Sequence, residues 1–162
     1  VRFAWVEAEG LFIAQSARPR WPPELALDLQ EARARGVDLL VSCQTEAEAA
    51  RMGLLEEPEA AEAAGMAFLR HPIVDHSLPE DPAATVAFAD RLVTELRAGR
   101  RILVHCFAGI GRSGLVVVSA LIRAGLSPEE AIRRASLARG LPVPETAAQV
   151  RWVLAVPPAQ RS

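Results

Sequence analysis

The sequence predicts an α/β fold with a mainly parallel central sheet flanked by helices on both faces. Two observations carry that prediction. Short apolar or β-branched runs alternate with longer stretches of helical periodicity, as strands joined by crossover helices do. Two of those runs, Val37–Cys43 and Arg101–His105, are nearly continuous in apolar character, which suits strands covered on both faces. A chain of 162 residues with 51% hydrophobic residues fits a single domain over residues 1–162, built on one core.

The elements follow in order. Phe3 to Ser16 reads as two short strands turning at Gly10. Pro22-Pro23 opens a helix over Glu24–Arg35, with Leu25, Leu29 and Ala32 on one face and Gly36 as its stop. After the strand Val37–Cys43, the Ala- and Glu-rich stretch Glu46–Ala64 reads as two short helices broken by Gly53 and Pro58. Met66–His71 is a strand ended by Pro72. Asp81-Pro82 starts a helix that runs to Ala98, with Gly99 as its stop. The strand Arg101–His105 leads through a glycine-containing loop into a helix ending near Ala124. Ser127-Pro128-Glu129-Glu130 combines an N-cap serine, a proline at the first helical position and a glutamate three residues on, so a helix runs to about Ala138. A last helix covers Glu145–Val156.

Composition narrows the function. Eighteen basic and 20 acidic residues leave a net charge of −2, which argues against a nucleic-acid binder and makes any anion site local. All 18 basic residues are arginine; lysine, asparagine and tyrosine are absent, as codon bias in a GC-rich genome would give. Val1-Arg2-Phe3-Ala4-Trp5 lacks the start of a secretory signal, and no apolar stretch reaches the roughly 18 residues of a membrane span. The expectation is a cytoplasmic protein without a membrane partner, whose thiols stay reduced. Two cysteines and three histidines offer no metal set, so neither metal nor cofactor is expected. Oligomeric state is left open.

Chemistry concentrates in His105-Cys106-Phe107-Ala108-Gly109-Ile110-Gly111-Arg112-Ser113-Gly114. A loop between strand and helix, at the carboxyl end of a parallel strand, is where ligands of such sheets bind. Gly109 and Gly111 allow backbone turns in which N–H groups converge into an anion nest, and the following helix adds its positive end. Arg112 supplies a planar fork that matches two phosphate oxygens, which a lysine cannot do. The same groups favour the thiolate of Cys106 over its thiol, making it a nucleophile. A cysteine and an arginine at this spacing arise by chance in about one such chain in five, so the surrounding histidine, serine, glycines and strand-to-helix setting carry the argument.

At these residues the sequence resembles the cysteine-dependent protein phosphatases, whose motif is H-C-x5-R-S/T. Phe107 stands where the tyrosine-specific branch commonly has a smaller polar residue. Short length and the absence of tyrosine point to the compact dual-specificity branch. Val37–Asp81, with Thr45-Glu46 after a strand and Pro-Ile-x-Asp-x-x-x-Pro, looks like compact bacterial members and the kinase-associated type, as does Glu145-Thr146-Ala147-Ala148-Gln149. The resemblance implies a dual-specificity phosphatase-like fold and a metal-independent phosphomonoester hydrolase. Its substrate is a phosphorylated protein side chain or, alternatively, a small-molecule, nucleotide or lipid phosphate. A phosphate-binding module that has lost catalysis is the non-enzymatic alternative.

Roles follow by resemblance and chemistry together. Cys106 attacks phosphorus, while Phe107, Ala108, Gly109, Ile110, Gly111 and Arg112 form the cradle. Asp75, in a loop bracketed by Pro72 and Pro79, is the candidate proton donor to the leaving group; Asp81 is its rival but is already explained as a helix cap. Ser113 either donates to the departing thiolate or serves as an N-cap. His105 orders the loop from behind. Gln149 either orients the attacking water or is a solvated helix residue. Cys43 ends a strand adjacent to that of Cys106 and either traps the oxidised nucleophile in a disulfide, as some family members do, or is small core packing.

Overall fold

The computed structural model describes residues 2–160. Five strands form one sheet: β1 (Ala4–Ala8), β2 (Leu11–Ser16), β3 (Leu39–Ser42), β4 (Ala67–Arg70) and β5 (Ile102–His105). Their spatial order is β1-β2-β5-β3-β4, with β1–β2 antiparallel and the other three pairings parallel. The helices are α1 (Glu24–Ala34), α2 (Glu46–Arg51), α3 (Glu57–Ala63), α4 (Pro82–Arg97), α5 (Arg112–Arg123), α6 (Pro128–Arg139) and α7 (Ala147–Leu154). The mainly parallel sheet and the element order agree with the expectation from sequence.

Alternation along the strands divides the core between the two faces. Ile13, Leu39, Val41, Ile102 and Val104 face the side covered by α4, α5, α6 and α7, whereas Ala14, Leu40 and Leu103 face α1, α2 and α3. Leu25, Leu29 and Ala32, the face predicted for α1, are all buried there. Helix α5 is buried along every residue from Arg112 to Ile122, because α4, α6 and α7 all pack on it. A helix apolar all round belongs in such a central position.

Local signals were kept with one difference. The side chains of Asp81 and Ser127 accept the N–H groups of Ala84 and Glu130 at 3.1 and 3.2 Å, as N-caps do. Pro58, expected to break a helix, instead lies in the first turn of α3, where its missing N–H costs nothing.

The loop between β5 and α5 crosses the end of β2 so closely that a Cβ on Gly109 would fall 2.3 Å from the carbonyl carbon of Ser16. Gly109 also has φ +74°, in the left-handed region. Gly109→Ala should therefore lower the stability measured by urea unfolding by at least about 2 kcal/mol, and an unchanged midpoint would show that the loop has room to yield.

Candidate active site

Strand register builds the site. Ser42 and His105 are partners in the β3–β5 ladder, and the N–H of Cys43 donates to the His105 carbonyl at 2.9 Å. Cys43 and Cys106 thus leave neighbouring strands at the same edge of the sheet. The segment after β4 bends over that edge, since His71 N–H donates to Ser42 O and Ile73 N–H to Cys43 O. Asp75 arrives two residues later.

The loop is shaped by what holds its carbonyls. Cys106 O lies 3.2 Å from Nδ1 of His105, and Phe107 O accepts the N–H of Arg18 at 3.1 Å. Ala108 O accepts Nη2 of Arg139; Gly109 O accepts both Nε of Arg139 and Nε2 of Gln15, the last at 2.7 Å. A trans peptide points its C=O and N–H in opposite directions. Tying these four successive carbonyls to the surrounding protein therefore fixes the N–H groups of Phe107, Ala108, Gly109 and Ile110 in the opposite directions. Gly111 is the N-cap of α5 and has φ −79°, so its reason for being glycine is space rather than a left-handed turn. A Cβ there would meet the Gln149 amide and the Glu145 carboxylate, each at 3.0 Å.

Arg112 is 1% exposed and its fork is already engaged. Nη1 and Nη2 bind the two oxygens of Glu48 at 2.7 and 2.9 Å, and Nη1 also donates to Ile73 O at 2.9 Å. Nη2 stands 3.1 Å from Oδ1 of Asp75. Nε is buried and meets no acceptor among the described residues. Burial pulls the Arg112 guanidinium down, but the Glu48 hydrogen bonds and charge, with Cys106 and Asp75, hold it above its ordinary value. Burial likewise pushes the Glu48 carboxyl up, and Arg112 and Gln44 overcome that and hold it below the usual range. The contribution of this pair to stability is complete above the ordinary glutamate value and is lost as pH falls through the lowered folded one.

The remaining candidates fall around these two. Asp75 is about half exposed, 49%, and its Oδ1 accepts its neighbour's N–H from His76. The thiol of Cys106 donates to Oγ of Ser113 at 3.3 Å; in the thiolate form the hydroxyl would donate instead. The N-cap reading of Ser113 is corrected, because Gly111 holds that position and Ser113 is the second residue of α5. The solvated reading of Gln149 is corrected as well. Its side chain is buried, and Oε1 accepts the N–H groups of Glu145 and Thr146 in a capping box against the Gly111 end of the loop. Phe107 is 44% exposed, and the Arg18 guanidinium lies between its ring and that of Trp21. Burial pushes the Cys43 thiol well up, with Cys106 adding to the effect, so it stays a neutral thiol. Among the described residues no group of three His, Cys, Asp or Glu side chains is placed to hold a metal ion, and no helix is long and apolar enough to cross a membrane.

Several polar residues of the site escaped the sequence reading, among them Gln15, Glu48, Glu57 and Arg139. Thr45-x-x-Glu48 has the spacing of a capping box, and Thr45 does cap α2, but the Glu48 side chain turns to Arg112 instead. Glu57, wholly buried at the start of α3, binds Nε2 of His105. Arg139 looks like any basic residue in the last turn of a helix.

Comparison with known proteins agrees with this geometry. Residues 18–126 match the family model described as polymorphic toxin system, DSP-PTPase phosphatase. Human cyclin-dependent kinase inhibitor 3 is 30% identical over 129 residues, 78% of this chain and 60% of the human one, so the chain spans about three-fifths of that relative. A crystal structure of kinase associated phosphatase with its catalytic-site cysteine changed to serine superposes with a TM-score of 0.84 at 24% identity, covering 94% of this chain and 92% of that one. Tk-PTP in its active form is 28% identical with a TM-score of 0.74 over 93% of each chain. The matched span contains Cys106, Arg112, Asp75 and Glu48 together with the sheet edge that gathers them, and the chain belongs to this DSP-PTPase phosphatase family.

Proposed function

We propose that the chain is a metal-independent phosphomonoester hydrolase that removes phosphate from protein side chains through a phosphocysteine. The observation that carries this reading is the buried Nε of Arg112. Glu48 and Ile73 take three of the N–H donors on the Nη side of the guanidinium, and Nε remains buried without a partner among the described residues, at the end of a loop whose N–H groups we read as an anion nest. A phosphoryl group supplies the acceptors that such a set needs.

Each group then has a task. The Cys106 thiolate attacks phosphorus in line with the ester oxygen; the P–O bond breaks, and Asp75 gives its proton to the departing oxygen. Water next attacks phosphorus and gives a proton to Asp75, while sulfur leaves as thiolate and receives the Ser113 hydrogen bond. Gln149, held beside Gly111, orients that water. The transition state is loose, so Arg112 and the loop amides act by position and charge. The loop interior offers Phe107, Ala108 and Ile110 where a multiply phosphorylated ligand would need basic side chains, and Val74, Leu78 and Phe107 are exposed apolar residues of the two loops. These features favour a phosphorylated protein side chain over a lipid headgroup or nucleotide.

We also propose that Cys43 protects the nucleophile. Peroxide converts the Cys106 thiolate to a sulfenic acid, and the Cys43 thiol condenses with it, forming the S–S bond and releasing water. The shared strand edge supports this pairing.

Cys106→Ser should abolish hydrolysis yet still bind inorganic phosphate, and residual turnover would remove the covalent mechanism. Arg112→Lys should also lose most activity, because one ammonium cannot serve Glu48, Ile73 and phosphate together. Asp75→Asn should slow alkyl phosphates by about 10² or more while sparing activated aryl phosphates; equal slowing across leaving groups would make Asp75 structural. After a peroxide pulse, reductant should restore wild-type activity but not that of Cys43→Ala, with a Cys43–Cys106 peptide seen by mass spectrometry. Equal recovery without that peptide would leave Cys43 as core packing.

A further inference from the structure

We propose that Glu57 is a positioning residue that anchors Nε2 of His105, so that the ring keeps its Nδ1 hydrogen aimed at the Cys106 carbonyl and sets the peptide between Cys106 and Phe107. The proposal rests on the phosphatase reading for its catalytic consequence only. Nothing else in the site demands a carboxylate at the start of α3, where an apolar residue would fill the same core.

The argument is one of hydrogen accounting. His105 is wholly buried, and each ring nitrogen has one neighbour: Nδ1 lies 3.2 Å from Cys106 O, and Nε2 is bonded to Oε1 of Glu57. A carbonyl oxygen only accepts, so Nδ1 must carry a hydrogen. Nε2 and Oε1 must then share a second one, either as a protonated carboxyl donating to a neutral ring or as an imidazolium donating to a carboxylate. In both forms the pair has no net charge. Burial favours that state, because Glu57 is 0% exposed and its other oxygen, Oε2, meets no donor among the described residues. A bare carboxylate facing a neutral ring would be an unpaired buried charge.

Without Glu57 the ring loses the partner that anchors Nε2 and with it the fixed plane that aims its Nδ1 hydrogen at the Cys106 carbonyl. The hydrogen bond to that carbonyl is then loosened, and the peptide it holds is free to turn. The peptide that carries this carbonyl also carries the Phe107 N–H, one of the donors of the anion nest. Glu57 in α3 therefore acts on the loop through His105, without touching substrate.

The test combines a ring-proton assignment with kinetics on para-nitrophenyl phosphate. Long-range ¹H–¹⁵N spectra of the wild type should show His105 protonated at Nδ1. In Glu57→Gln the carboxamide N–H can donate to the Nε2 lone pair of a neutral ring, so the Nδ1 proton should persist and kcat should stay within about threefold of wild type. Glu57→Leu should lower kcat by at least about tenfold with KM nearly unchanged, since a misaligned nest donor is missed most in the transition state. A wild-type His105 bare at Nδ1, or a folded Glu57→Leu with wild-type kcat, overturns the proposal. Should Glu57→Leu fail to fold, the wild-type spectrum and Glu57→Gln decide it. Wild-type protein without hydrolytic activity would sink the phosphatase reading alone, because the spectra still decide where the proton sits.

Discussion

An anion nest made of backbone must find a partner for every carbonyl it turns away, and much of this fold can be understood as meeting that constraint. Here the partners come from the end of β5 itself and from two regions distant in sequence, residues 15–18 and the end of α6. His105 holds Cys106 O from β5, Arg18 holds Phe107 O from the segment after β2, Gln15 reaches Gly109 O from β2, and Arg139 reaches Ala108 O and Gly109 O from α6. A loop with these carbonyls untied would be free to rotate its peptides, and the entropy of refixing them would fall on each binding event. The sheet order explains how one loop meets so many elements. Strand β5 sits at the centre, between β2 and β3, so its carboxyl end is within reach of both neighbours and of the helices covering them.

The same centrality explains the buried carboxylates. Glu48 and Glu57 both lie in the first turn of a helix on the α1–α3 side, and both meet groups from the β5–α5 connection: Glu48 meets Arg112, and Glu57 meets His105. Such pairs are poor sources of net stability, because desolvation consumes most of what attraction supplies. Their value is directional. A bidentate carboxylate sets the plane of the guanidinium, and a carboxyl on Nε2 holds the plane of the imidazole. Together they orient the two residues flanking the loop, one at each end.

How much of this is legible in the sequence depends on whether the signal is local. Cys106, Arg112 and Ser113 lie within eight residues, and strand, loop and helix follow one another there, so contiguous chemistry announces itself. Asp75 was singled out because its proline-bracketed loop resembles the family's acid-bearing loop. Glu48 was missed because Thr45-x-x-Glu48 already had a complete local explanation, and a side chain that leaves its own helix for a residue 64 positions away gives no local sign. Glu57 lay in an Ala- and Glu-rich stretch whose carboxylates mostly face solvent, and only its contact with His105, at the end of β5, distinguishes it from its neighbours. The N-cap reading of Ser113 and the solvated reading of Gln149 fail together at one end of α5. The helix starts two residues earlier than a serine cap would place it, and α7 packs its first turn on that same end, so the side chain that looks like a cap is not one and the side chain that looks solvated is buried.

Charge balance then assigns roles within the cradle. Arg112 is matched by Glu48 at hydrogen-bond distance, and Asp75 stands within 3.1 Å of the same guanidinium. The positive charge of the arginine is thus answered before any ligand arrives. What attracts a phosphate dianion must come largely from the loop amides and from the N-terminus of α5, which begins at Arg112 itself. Arg112 contributes shape more than charge: one guanidinium satisfies a carboxylate and a backbone carbonyl on one side while presenting Nε on another. A lysine in its place would retain a positive charge but could not hold these directions at once. The near-neutral chain and its anion site are therefore compatible, because the site is assembled from dipoles and geometry rather than from surplus basic residues.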